Sequence, residues 1–547
     1  MGATTANAQL LPDFVIKFDK VKRVTNFPEQ KGSVQLVVTN QGNEEYKGTL
    51  KINLYASTDS VLNRNTNGQL VNDELLGSLD KKNVNLKPGK SKTFNLNFAT
   101  PKFTSASNVA PGAYYLIGEV GSDNTIAESN QTNNQASNFI SAAGSDAVIV
   151  WNATLLNAIQ ISESGGTPPP LAARNQAIVH AAIYDAVNAI NRSHKPYKVN
   201  IDASDSRIAG ASPDAAAVEA AYQTLVYLYK NQKPTFDEQR TRSLAEIPDG
   251  AAENNGVALG KYVAEQILAL RMTDGADKAQ IPYTLGTGMG DWRPTPPAFL
   301  PPLLPGWGRV TPFAIPSGST FRPKGQPVFG NAEYARQLEE VRLLGALQNT
   351  TVTKITRTPE QTQIAIFWAY DRPDTFRPPG QWNEIAEKVA LEQGNTLEAN
   401  ARLFALLNIA QADAGIAAWD AKYTYNQLRP ISAIRQADSD PNQSTVGDPN
   451  WVSLLPTPPF PDYISGHSTF AGVSGKILSN FFGDNINFTV TSQELNGVTR
   501  SYNSFTQAAD EDGISRIYGG VHVRSANEDG LATGRSVGDY VFNNFLQ

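Results

Sequence analysis

Residues 422–430 read KYTYNQLRP, residues 464–467 read ISGH and residues 515–522 read SRIYGGVH. Between them they supply Lys422, Arg429, Arg516, Ser465 and the backbone N–H of Gly466, a set of donors and cations with no acceptor among its charged members. Such a set suits a tetrahedral oxyanion. Guanidinium forks and a lysine point charge match phosphate-like oxygens, and charge-assisted hydrogen bonds are roughly twice as strong as neutral ones. His467 and His522, two of the chain's four histidines, lie in the same stretches. Imidazole is the side chain best suited to proton transfer or metal ligation near neutral pH.

Spacing adds to the case. Lys422 and Arg429 are seven positions apart, so on one helix they point the same way, and Trp419 shares that face. Pro430 is then expected to stop the helix just past Arg429. Ser465 precedes an apolar pattern (Phe470, Val473, Ile477, Leu478, Phe481). That places Ser465, Gly466 and His467 at a helix N-terminus, where free N–H groups and the helix dipole favour an anion. A lone lysine, arginine or histidine is more often a solvated or merely satisfied residue. The order and spacing of the three blocks together carry the functional reading.

Lys-x6-Arg-Pro, then Ser-Gly-His, then Ser-Arg-x5-His resembles the three-part signature of the vanadium-dependent haloperoxidases and type-2 phosphatidic acid phosphatases. The resemblance implies an all-α helical-bundle domain of the vanadium haloperoxidase type, built as paired four-helix bundles with the site at the end of one. It implies vanadate (orthovanadate) as cofactor, its oxygens bound by Lys422, Arg429, Ser465, Gly466 and Arg516. His522 would bond the metal, His467 would be the acid–base residue, and Lys422 would also polarise bound peroxide. The implied reaction is oxidation of bromide, with chloride a further candidate, by hydrogen peroxide to hypohalous acid, which then meets small organic acceptors. WDAKY and FPDYISGHSTF resemble the fungal chloroperoxidase-type members, which implies a halide pocket walled by Trp419 and Phe460; an aromatic pair is otherwise more often packing. Two positions depart from the pattern. Ile464 stands where the family has Pro, and Ala526 stands where it often has Asp, which leaves Asn527, Glu528 or Asp529 to orient His522.

Two rival readings use the same residues. A phosphatase of this superfamily would employ His522 as nucleophile and His467 as general acid, and the absent Asp at 526 counts against it. A catalytically idle adhesive protein would leave the cage cations buried and unpaired, which is costly.

At 547 residues the chain is long enough for two or more domains. Its net charge of −6 and lack of a basic block give nucleic-acid binding no electrostatic footing. Cysteine is absent, which excludes disulfides, thiol nucleophiles and cysteine metal sites. No run of 18 apolar residues spans a membrane, and the opening MGATTANAQLLPD does not read as a signal peptide. A homo-oligomer stays open.

Residues 10–145 differ in character from the rest. Short alternating runs at 13–18, 33–40, 49–57, 92–98 and 113–120, separated by turn formers such as NQGN, KPGK and APG, read as a small β-sandwich. VVTNQGN, LKPGKSKTF, PGAYYL and IAESNQTNN resemble the immunoglobulin-like CARDB module, which implies a secreted or extracytoplasmic bacterial protein. The 59–73 loop, DSVLNRNTNGQLVND, offers oxygen ligands of the kind Ca²⁺ takes, with a solvated hairpin loop as the alternative.

From 146 to 547 the pattern is helical. Amphipathic stretches are expected at 174–190, 214–231, 256–272, 331–347, 359–370, 383–428, 466–482, 506–518 and 527–545. His180 falls inside the first and reads as a core histidine with a hydrogen-bond partner. Residues 281–330, dense in Pro, Gly and aromatics, are expected to wrap the bundle and form part of the substrate mouth.

Overall fold

The structure is a computed structural model and describes residues 11–22, 31–57, 62, 64, 70, 73–99, 113–121, 126–130, 133–141, 147–162, 166–325, 327–495 and 498–547. The chain divides into two compact units, Met1–Ser145 and Asp146–Gln547.

The first unit is an antiparallel β-sandwich. Strands β1 (Phe14–Lys22), β2 (Lys31–Asn40) and β5 (Ser91–Ala99) form one sheet, in the order β1-β2-β5. Strands β3 (Tyr46–Ser57), β4 (Asp73–Leu86), β6 (Ala113–Val120) and β7 (Gln135–Ser141) form the other, in the order β4-β3-β6-β7. Alternation decides which side chains meet: Val34, Leu36 and Val38 of β2 are buried with Phe94, Leu96 and Phe98 of β5, and the register sets Leu36 opposite Phe94. Residues 58–61, 63, 65–69 and 71–72 lie outside the described residues, so most of the loop read as a Ca²⁺ candidate does too.

The second unit is built from α1 (Ala147–Gln160), α2 (Pro169–Asn191), α3 (Pro213–Leu228), α4 (Lys233–Leu244), α5 (Ala251–Arg271), α6 (Ala332–Leu344), α7 (Pro359–Phe367), α8 (Arg377–Glu392), α9 (Leu397–Tyr425), α10 (Pro430–Arg435), α11 (Gly466–Phe482), α12 (Phe505–Tyr518) and α13 (Arg524–Asn544), with a short hairpin of β8 (Phe488–Thr491) and β9 (Thr499–Tyr502). Helix α9 is buried along most of its length and belongs to two packed groups. It meets α2, which packs on α3, on one side, and α11 with α13 on the other. His180 lies in the core of the first group, its Nε2 3.0 Å from Asn152 Oδ1 and its ring stacked on Phe404. It is the core histidine with a hydrogen-bond partner that its apolar surroundings suggest, paired through Nε2.

The α11–α13 contact is unusually close. A Cβ on Gly534 would stand 2.2 Å from the Thr469 carbonyl oxygen, and one on Gly472 would stand 2.4 Å from that of Leu531. The two backbones therefore touch with no side chain between them. A hydrogen bond from Ser465 N–H to the Ala526 carbonyl (2.9 Å) joins the same two helices near their N-termini.

Two expectations are corrected. The 383–428 stretch is two helices, α8 and α9, parted by Gly394 at φ 66° and by Thr396, whose side chain caps α9. The described residues of 281–330 contain no helix beyond a short 3₁₀ turn, and at the site they buttress Trp419 and do not line its pocket. The Leu303 carbonyl accepts from Trp419 Nε1 (3.3 Å) and Tyr423 OH (2.7 Å), while Leu303 N–H donates to the Pro459 carbonyl. Farther along the same strap, Asp413 on α9 accepts the N–H groups of Phe313, Ala314 and Ile315.

Candidate functional site

Each motif reaches the site by its own local logic. Helix α9 carries Trp419 and Lys422 on one face, as their spacing implies. It ends at Tyr425, because Asn426 takes the left-handed conformation (φ 50°) and donates its N–H to the Lys422 carbonyl. Arg429 is therefore not on that helix. It is extended (φ −74°, ψ 151°), as a residue before proline prefers, and Pro430 starts α10 where it was expected to stop a helix. Ser465 is the N-cap of α11, its side chain accepting from Ser468 N–H. The chain enters that cap through a cis Tyr463–Ile464 peptide. Arg516 stands in the last turn of α12, and His522 lies in the turn between α12 and α13.

Lys422, Arg429, Ser465 and Arg516 are completely shielded from solvent, with His522 2% and His467 7% exposed. Lys422 Nζ donates to the carbonyls of Pro461 and Asp462, both at 3.0 Å, which leaves one of its three protons. Arg429 donates from Nε to the Phe460 carbonyl and from Nη1 to the Val521 carbonyl, both at 2.7 Å, and its Nη2 has no partner among the described residues. Arg516 donates from Nη2 to Asp371 Oδ2 (2.8 Å), while its Nε and Nη1 have no partner among the described residues. Buried guanidinium N–H groups without acceptors are costly, and these three nitrogens are donors from which an anion could accept.

Two carboxylates that the motifs did not flag complete the site. Asp371 lies at the end of the IAIFWAYD stretch, 3.8 Å from His467 Nε2 as well as beside Arg516. Burial alone would raise its pKa, but His467 and Arg516 outweigh that and hold it below the usual carboxylate value. Asp462, three residues before Ser465, places Oδ1 2.6 Å from His522 Nδ1 and 3.9 Å from Arg429 Nη1. Burial pushes its pKa up to about 7 against the pull of Arg429 and Lys422. The sequence signal for both was an acidic residue standing inside or ending a conspicuous aromatic stretch.

None of the three residues expected to orient His522 does so. Asn527 Oδ1 accepts from Ser468 Oγ (2.7 Å), Glu528 faces Arg524 (3.4 Å), and Asp529 Oδ2 accepts from Tyr463 OH (2.6 Å). Asp462 is the carboxylate at His522 instead, reached through the fold and not through the following helical turn.

Burial, reinforced by Arg429 and then Lys422, drives the pKa of His522 well below that of an ordinary histidine. Lys422 is held well below the usual lysine value by burial and then by Arg429. Burial lowers Arg429 to about 10. Three basic side chains thus face two carboxylates in the site. A bound oxyanion would relieve every one of these shifts.

Trp419, Phe460, Phe470, Pro169, Pro378 and Pro458 wall a pocket of about 280 Å³, counting the solvent space at its mouth; Asp371, Gly466, His467 and His522 also line it. Trp419 and Phe460 meet with ring centroids 4.9 Å apart, and Lys422 Nζ and Arg429 Cζ each lie 4.8 Å from the Phe460 centroid. The structure thus brings together all nine residues singled out from the sequence. Among the described residues no cluster of three or more His, Asp or Glu is arranged to hold a metal ion.

Residues 402–547 match the family model of the VCPO second helical-bundle domain, and residues 11–138 match CARDB. The vanadium chloroperoxidase of Curvularia inaequalis is 28% identical over 455 residues, covering 68% of this chain and 73% of its own. Among solved structures, the first bacterial vanadium-dependent iodoperoxidase superposes with a TM-score of 0.61 at 29% identity, over 73% of this chain and 94% of that one. The holo form of a bacterial vanadium-dependent chloroperoxidase shares the fold at 16% identity, with a TM-score of 0.54 over 71% and 93%.

Proposed function

From a helical unit of the vanadium haloperoxidase type preceded by a CARDB domain, we propose that this protein is a vanadate-dependent haloperoxidase, oxidising halide with hydrogen peroxide to hypohalous acid. The observation that carries the reading is the set of partnerless, fully buried nitrogens: Arg429 Nη2, Arg516 Nε and Arg516 Nη1. The donor set fits vanadate. Lys422, Arg429, Arg516, Ser465 and the Gly466 N–H would hold its oxygens, and His522 Nε2 would bond the metal. When bound, vanadate supplies a Lewis acid that polarises a peroxide oxygen without changing its own oxidation state.

The chain's own part is to bind, position and move protons. His467 donates from Nε2 to the Ala369 carbonyl (2.7 Å), so its Nδ1 is the atom that takes a proton from incoming hydrogen peroxide. The remaining proton of Lys422 would be free to polarise a peroxide oxygen held in the cage. Trp419 and Phe460 keep the halide side dry, which strengthens every charge interaction there. Bromide is the expected halide, with chloride accepted if that wall is dry enough. The CARDB domain and the lack, among the described residues, of any helix able to cross a membrane fit an extracytoplasmic protein.

A second reading is favoured by one observation. His522 Nε2 accepts from Arg429 Nη1 (3.2 Å) and so presents a lone pair, the state a phosphatase nucleophile needs. One assay separates the two: halogenation of monochlorodimedone by dialysed protein with and without orthovanadate, in chloride, bromide and iodide, beside hydrolysis of p-nitrophenyl phosphate. The peroxidase reading requires halogenation that depends on vanadate and is competed by phosphate. Halogenation indifferent to both, or phosphate-ester hydrolysis alone, sinks it.

A further inference from the structure

Resting on the reading of His522 as the residue that bonds the oxyanion centre, we propose that Asp462 is its positioning residue, keeping the proton on Nδ1 and the lone pair of Nε2 turned into the cage. A carboxylate from the turn before α11 thereby does the work that Ala526, four residues after His522, cannot do.

The tautomer follows from the neighbours. A guanidinium can only donate, so His522 Nε2, 3.2 Å from Arg429 Nη1, must accept. A neutral imidazole then carries its proton on Nδ1. That atom has no well-aligned hydrogen bond of its own, and Asp462 Oδ1 stands 2.6 Å away, approaching obliquely to the ring N–H. Both residues are buried, so water does not replace the contact.

Asp462 is also fixed as few residues here are. Its N–H donates to the Gln427 carbonyl (3.0 Å), its own carbonyl accepts from Lys422, and its side chain faces His522 and, at 3.9 Å, Arg429. One residue therefore ties the first motif to the third across the second. Electrostatics alone argues against it: a second carboxylate beside an anion cage weakens anion binding. A positioning role explains why the carboxylate stands there, since a ligating histidine commonly hands its other ring nitrogen to a carboxylate whose loss costs about 10–100-fold in affinity.

The test compares two oxyanions in the full-length protein by equilibrium dialysis: orthovanadate, which bonds His522, and sulfate, which meets only the cations. In Asp462→Asn and Asp462→Ala the affinity for orthovanadate should fall by about tenfold or more, while that for sulfate stays or tightens as a negative charge is lost. Retained sulfate binding shows that the cage is folded. If Asp462 only neutralises Arg429, both oxyanions bind more tightly, and the proposal is overturned. Long-range ¹H–¹⁵N correlation spectra of the wild type, with four histidines to assign, test it without any variant: His522 should carry its proton on Nδ1, and a proton on Nε2 refutes the assignment. His522→Ala separates the two levels. If it binds orthovanadate like the wild type, the underlying reading of His522 fails; if it loses binding while both Asp462 variants keep it, only the role of Asp462 fails.

Discussion

The Nε2 of His467 lies 2.7 Å from the carbonyl oxygen of Ala369, so the ring's proton is committed to the backbone and Nδ1 is left as its basic atom. Burial, and next Arg516, bring its pKa down to about 4, with Asp371 opposing. The residue is thus neutral and able to take a proton at neutral pH. His467→Ala should retain orthovanadate but lose turnover by on the order of 10²–10⁴-fold, whereas His522→Ala should lose the oxyanion itself. Because the charged form is disfavoured, the acid limb of kcat/KM should lie below the ordinary histidine value. Equal vanadium content and equal activity in the two variants would refute the division of labour.

Lys422 makes the affinity for oxyanion depend on pH in a defined direction. Its pKa is depressed by burial and by Arg429, while a bound anion favours its protonated form. Binding should therefore take up protons, and affinity should weaken as pH rises through the depressed pKa. Calorimetry in buffers of different ionisation enthalpy counts those protons. Lys422→Gln should bind more weakly and show a flatter pH dependence; an unchanged slope would assign the uptake to another group.

Phe460 separates two cations from the solvent side of the pocket and packs on Trp419. Chloride is harder to oxidise than bromide and needs the drier, more strongly polarising site. Phe460→His should therefore reduce any chloride turnover by about tenfold more than bromide turnover, a difference of about 1.4 kcal/mol in barrier. Bromide turnover alone in the wild type, unchanged in Phe460→His, would remove Phe460 from the halide site.

Removal of residues 1–145 should leave vanadate affinity and halogenation largely intact. Each unit has its own core, and all nine sequence-derived site residues, with Asp371 and Asp462, lie in the second. Loss of activity from a folded, vanadate-binding truncation would show that the sandwich shapes the site.

What the sequence disclosed depended on how local the cause was. The start of α11 was legible because Ser465 caps it within three residues, and its end because Gly483 leaves the helical region (φ 85°). The placement of Arg429 was anticipated for the wrong reason. Its spacing from Lys422 suited one helix, but the left-handed Asn426 and the constraint before Pro430 end that helix early, and the chain returns the guanidinium to the cage from an extended segment. Strand β4 was missed because it is an edge strand whose middle is largely exposed, so it shows little alternation. The described residues of the 281–330 strap are irregular, as read, and their apolar side chains are shared between the core around Trp419 and the core of the first helix group. Asp371 and Asp462 were passed over because their partners are distant in sequence: a carboxylate 60 residues from its histidine leaves no spacing to read.

The backbone contact at Gly472 and Gly534 sets the manufacturing tolerance of the site. Side chains between two helices act as compressible spacers, and their replacement shifts helices by fractions of an ångström. Here α11, which carries Ser465 and His467, and α13, which begins just after His522, rest peptide on peptide, clamped by the Ser465–Ala526 hydrogen bond. The interval between the second motif and the third is thus gauged by main-chain atoms that every residue shares. One methyl group at Gly534, three helical turns from His522, would act as a wedge at its seam.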